Sequence, residues 1–146
     1  GDGQIEESNG TNKEAILAWE HLSKAGFING SYTYAAADSD TTTPKNPYAG
    51  YLQLVYDGIY GAGVTASPST SRHNLKTGNQ VPVNILAEVD RKVDDGNPHG
   101  GAFQVSGYDS VTIGNCAAAA GTGTPPTPAS WKVADEENNC GGASLF

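Results

Sequence analysis

Three histidines, His21, His73 and His99, and two cysteines, Cys116 and Cys140, are the side chains here best suited to act as base or nucleophile. None has the surroundings that such chemistry needs. His21 borders the apolar stripe of a helical pattern, His73 lies among Ser, Thr, Arg and Asn, and His99 follows Pro98 between two turns. No Gly-x-Ser-x-Gly, His-Glu-x-x-His or Cys-x-x-Cys frames them. Gly61-Ala62-Gly63 lacks both the Gly-Lys-Ser/Thr ending and the following helix of a phosphate loop, so it reads as a turn. The residues predict no enzyme.

Carboxylates make a stronger case. Asp90, Asp94 and Asp95 cluster where a second helix should end, with Asp90 and Asp94 on one face at i,i+4. Acidic groups at a helix C-terminus oppose the macrodipole by a few tenths to about 1 kcal/mol, so a partner is expected for them. Backbone amides or the neighbouring Arg91 and Lys92 would serve, and so would a hard cation such as Ca2+, which takes several such oxygens. Local capping is the expected role, with no cofactor required. Asp2-Gly3-Gln4-Ile5-Glu6-Glu7 matches the second half of an acidic calcium loop but lacks the first. Asn9-Gly10-Thr11 and Asn29-Gly30-Ser31 fit the N-glycosylation acceptor pattern, as do many unmodified turns.

Cys116 and Cys140 are either two buried thiols or one disulfide. The bridge is the expectation, because the segment between them is polar, rich in Pro and Gly, and poor in large apolar residues that would hold it down. In the chain-entropy view such a loop gains about 3 kcal/mol from closure. A bridge would place the protein outside the cytosol.

These groups must be positioned by a small number of elements. Ala15, Ile16, Trp19 and Leu22 recur at three- and four-residue spacing, which predicts a helix over Asn12–Ala25. It would open with a capping box between Thr11 and Glu14 and close at Gly26, with Phe27 reaching back to Leu22 in a Schellman motif. Glu20 and Lys24 form an i,i+4 ion pair on its wet side. Asn29-Gly30 marks a turn, and the Thr/Asp/Pro-rich stretch from Ala36 to Pro47 reads as an exposed loop. Tyr51 to Tyr56 alternates as a strand whose Leu52, Leu54 and Tyr56 share a face, and Asp57-Gly58 signals a tight hairpin into Ile59-Tyr60. Ile85, Leu86, Val89 and Val93 predict a short helix near residues 84–95, capped by Asn84 and ended by Gly96 and Pro98. Gly101 to Tyr108 and Val111 to Ile113 read as the centre of the sheet, and Ala117 to Ala129 is of low complexity.

The chain has 146 residues, enough for one domain with one sizeable core. Its 19 Gly and 8 Pro, with only 16% charged residues, argue against helical bundles. Acidic residues outnumber basic ones 16 to 8, for a formal charge of -8, so nucleic acid and anionic membranes are poor partners. No stretch approaches the roughly 20 apolar residues of a membrane helix, and Gly-Asp-Gly-Gln at the start does not have the pattern of a signal peptide.

Two segments carry a family resemblance. Ala18-Trp19-Glu20-His21-Leu22-Ser23-Lys24-Ala25-Gly26-Phe27-Ile28-Asn29-Gly30-Ser31-Tyr32 is similar to the "AWxHLxxAGLIxGxY" segment of bacterial type IV pilin-like and pseudopilin-like soluble domains. Val89-Asp90-Arg91-Lys92-Val93-Asp94-Asp95-Gly96-Asn97-Pro98, with Gly100-Gly101 after it, resembles that group's "IDxKxDDGxPxxG". The two lie in the group's order and are followed by a cysteine pair, so the likeness spans Asp2 to Val105.

The resemblance implies an α+β fold, with an N-terminal helix over residues 11–26 packed on an antiparallel sheet and a variable surface loop bounded by Cys116 and Cys140. It further implies a non-catalytic subunit of a pilus or pseudopilus, outside the cell or in the periplasm. In that group a precursor stem is cleaved and methylated, and its apolar helix forms the filament core. No such stem lies within these residues, so the domain stands apart from its stem or the stem is a separate chain. Partners would be further copies, other pilins, or that stem chain, with contacts near Ile16, Trp19 and Leu22. The terminal Asp/Gly/Trp pattern of calcium-binding major pseudopilins is missing, so calcium does not carry over. A small extracellular adhesin or glycan-binding module is the alternative, with Tyr32, Tyr34, Tyr48 and Tyr51 as its candidate contacts.

Overall fold

The computed structural model describes residues 2–7, 12–61 and 69–146. The first helix, α1, spans Glu14–Lys24 and buries Ala15, Ile16 and Trp19. Thr11 and the Asn9-Gly10-Thr11 acceptor lie outside the described residues. The Glu14 carboxylate accepts the Glu6 amide at 3.1 Å, and the Ala15 amide donates to the Glu6 carbonyl at 3.2 Å, so the start of α1 is tied to the segment before it. Its end is the expected Schellman motif. Gly26 takes φ +76°, its N–H donates to the Ser23 carbonyl, and the Phe27 N–H reaches the Leu22 carbonyl at 3.0 Å. The apolar clasp that should accompany it is weak, because Phe27 is 79% exposed.

Four strands form one antiparallel sheet in the order β1-β2-β6-β3: β1 Gln53–Asp57, β2 Arg72–Lys76, β3 Phe103–Val105 and β6 Gly142–Leu145. The C-terminal strand therefore sits inside the sheet. The predicted tight hairpin after Asp57 does not form. Asp57 pairs with Arg72, and the connection between them runs through residues 58–71. Gly58 is needed for close approach instead, since a Cβ there would overlap the Ser69 carbonyl, whose own amide donates to the Gly58 carbonyl at 2.9 Å.

Directly paired residues in an antiparallel ladder share a face. The register puts Gln53, Lys76, Ala143 and Gln104 in one row across the sheet, and all four are buried. This interior is polar. Lys76 is only 3% exposed and its ammonium lies 2.5 Å from Asp57, which also accepts from the buried Asn74 at 3.0 Å. The Ala36–Pro47 stretch is not simply exposed, because Thr42 and Thr43 are buried and bonded to Ala37 and Asp38.

The apolar core lies on the opposite face of β3, whose Phe103 and Val105 alternate with Gln104. Phe103 and Val105 of β3 cluster with Val83, Leu86 and Ala87 of the second helix, α2, which spans Val83–Val93. The stripe that α2 buries is Val83, Leu86, Ala87 and Asp90, so the expected face is rotated: Leu86 points in, whereas Ile85, Val89 and Val93 are exposed. Pro82 precedes the first turn and Asn84 lies inside the helix, so Asn84 is not the cap. Val111 to Ile113 is not a strand; Ile113–Cys116 forms a one-turn helix, α3.

Cys116 and Cys140 form the disulfide, with both half-cystines fully buried. Inside that loop two short strands, β4 Ala117–Ala118 and β5 Ser130–Trp131, pair and leave residues 119–129 as the connection. The loop has a second anchor, because Trp131 packs into the core against Phe103 with ring centroids 6.4 Å apart.

Candidate functional site

The acidic turn after α2 is built from its own backbone. One carboxylate oxygen each from Asp90, Asp94 and Asp95 lies within 4.8 Å of the others. Asp90 is fully buried and accepts the Trp131 indole N–H at 2.7 Å and the Gly96 amide at 3.3 Å. Asp94 accepts the amides of Ala102 and Phe103, and Asp95 that of Asn97 at 2.8 Å. A Cβ on Gly101 would overlap the Asp94 carboxylate, so the motif's glycine admits the backbone to that carboxylate. Burial pushes the Asp90 carboxyl above its usual range, against the two hydrogen bonds that lower it and with the nearby Asp95 and Asp94 adding to the rise. The three carboxylates are thus used to shape a turn and to hold the disulfide loop through Trp131.

An apolar concavity lies elsewhere. An apolar groove of about 340 Å³ runs between α1, the segment before it and β1, lined by Ile5, Leu17, Ala18, Leu22 and Leu54, with Glu14 and His21 at its rim. One wall is held by the Tyr56 amide, which donates to the Ile5 carbonyl at 2.6 Å. Ile16 and Trp19 face the opposite way, into the interior, and are 4% and 5% exposed. They are not surface residues of this domain, and of the three residues expected at an assembly face Leu22 alone lines the surface groove. Leu17 and Ala18 were the missed signal. Following Ile16 directly, they extend the apolar arc around α1 beyond what one buried stripe needs.

The remaining candidates are dispersed. His21 is exposed at the groove rim, and His73 lies on β2 edge-on to Tyr56 at 5.0 Å. His99 is half-buried, and burial holds its imidazole below the usual range. The tyrosines are mostly engaged: Tyr34 Oη accepts from the Lys13 amide, Tyr51 donates to Asp40, and Tyr32 packs against Gly30. Tyr48 is the most open of the four.

Comparison of the chain with protein-family models, curated proteins and solved structures gives no match. Among the described residues no helix is long and apolar enough to cross a membrane.

Proposed function

We propose that this chain is the globular part of a structural subunit of an extracellular or periplasmic filament of the type IV pilus or pseudopilus kind. The observation that carries the reading is the placement of the two motifs that resemble that group. The first forms α1 and its Schellman exit against β1, and the second forms the acidic turn that grips the disulfide-bounded loop through Asp90 and Trp131. Both motifs do architectural work, as expected of a scaffold repeated many times. The exposed connection over residues 122–128 is the surface such a scaffold would display. The disulfide agrees with a compartment outside the cytosol. The filament would assemble from further copies, from related subunits, or on a separate apolar stem chain.

Immunogold labelling of intact cells with antibody raised to residues 119–129 tests this reading. Decoration along surface filaments or pseudopili is expected. Label confined to the cell body or to the medium would contradict it.

A further inference from the structure

The polar interior holds two groups placed to react with each other. The Lys76 ammonium is 3% exposed and lies 2.5 Å from Asp57 Oδ2, across the β1–β2 ladder. An ammonium carries three donors, and among the described residues Asp57 is its only hydrogen-bond acceptor; the Tyr108 ring stands 5.9 Å away. The two Asp57 oxygens are used differently. Oδ1 accepts from Asn74 Nδ2 at 3.0 Å and from the Ile59 amide at 3.2 Å, whereas Oδ2 faces Lys76. Both donors are therefore aimed at the oxygen on which negative charge would gather if a nucleophile added to Cγ. A third carboxylate, Glu7, stands at the edge of this interior, bonded to the side chain of Gln53, the ladder partner of Lys76. Partial burial lifts its carboxyl above the usual range, against Lys13 and Lys76 and with Asp38 and Asp57 adding to the rise.

We propose that Lys76 and Asp57 condense into a side-chain amide that ties β2 to β1. This inference is independent of the filament reading. The newly folded chain carries the ion pair, and passing one proton from Nζ to Oδ2 makes it an amine in contact with an acid. Nζ then bonds to Cγ, and the electron pair of the C=O bond moves to Oδ1, where Asn74 and Ile59 donate. As that double bond re-forms, Oδ2 leaves as water with a second proton from Nζ, carried by Glu7. The three protons of the ammonium end as one on the amide and two on water, so no co-reactant is needed. Held contact stands in for concentration, with effective molarities of about 10⁵ M or more for well-oriented groups. The product also replaces two charges in the interior by one neutral amide, which removes the desolvation cost of the pair. Asp57 is 18% exposed, so the water has a way out.

The mass of the intact chain tests the bond. The folded protein is incubated at neutral pH, denatured, reduced and weighed, then digested with trypsin. Wild type should lose the mass of one water, and Lys76 should resist cleavage, so that a branched peptide joins residues 46–72 to residues 73–91. Lys76→Arg, which keeps the positive charge without an attacking amine, should retain its full mass while circular dichroism shows it folded. Glu7→Gln should slow the loss of water about a hundredfold. A wild type that keeps its full mass over weeks overturns the proposal. So does a mass loss that leaves Lys76 open to trypsin, because a succinimide at Asp57-Gly58 sheds the same water without forming the link. An unchanged rate in Glu7→Gln would overturn the part assigned to Glu7.

Discussion

Asp90 shows how one buried side chain joins two parts of the chain. Its two oxygens hold the Trp131 indole in a fully buried bond and the Gly96 amide in a part-buried one. Asp90→Ala leaves both unpaired, so urea unfolding should show a loss of about 1–3 kcal/mol. Burial raises the folded-state pKa of this carboxyl above its unfolded value, so the folded state holds the proton more tightly. Charging it as pH rises through the raised value costs stability. The advantage of wild type over Asp90→Ala should therefore be greatest below the ordinary Asp range, near about pH 3.9, and should shrink as pH rises above it. A difference that grows with pH over that window would contradict the burial argument. Lys76 poses the converse case. With its ammonium buried against Asp57, Asp57→Ala strands a cation and should cost about 3–5 kcal/mol, whereas Asp57→Leu with Lys76→Met should recover most of the loss. Equal losses in the single and double variants would show that the pair is not what stabilises this interior.

At the level of elements, the disulfide loop makes the clearest prediction. Cys140→Ser opens a loop that the bridge closes, a loss of about 3 kcal/mol in the chain-entropy view. Limited proteolysis should then cut residues 119–129 faster while α1, which has no part in that loop, keeps its helical signal. Equal cleavage rates with and without the bridge would mean that Trp131 alone anchors the segment. The elements differ in how plainly the residues announce them. α1 was legible because its periodic apolar residues and Gly26 agree with the helix and its exit. β2 was not, because Arg72-His73-Asn74-Leu75-Lys76 buries an amide and an ammonium where the strand pattern calls for apolar residues. Asp57, contributed from β1, accepts from both, Asn74 also donates to the Arg72 carbonyl, and the Lys76 ammonium lies over the Tyr108 ring. β6 is not legible for a related reason: Gly142 and Ala143 are poor strand formers, and they pair there because Gly142 leaves room for the Phe103 ring, which a Cβ would overlap. The apolar pattern of α2 points to the wrong face because Asp90 occupies its buried stripe while three branched apolar residues lie outside it. The groove followed from the same kind of excess, with Leu17 and Ala18 apolar on the side of α1 away from the core.

For the whole molecule, the distribution of surfaces matters more than any one pocket. A buried polar row runs across the sheet through Gln53, Lys76 and Gln104, the apolar core gathers on the face where Phe103 and Val105 meet α2, and the disulfide-bounded loop displays the exposed residues 122–128. The proposed filament is tested most directly by mass spectrometry of filaments sheared from the source cells. Peptides of this chain are expected in the filament fraction, either continuous with an apolar stem bearing a methylated N-terminus or in constant ratio with a separate stem chain. Recovery of the chain only as free protein, with the filament fraction made of other subunits, would contradict it.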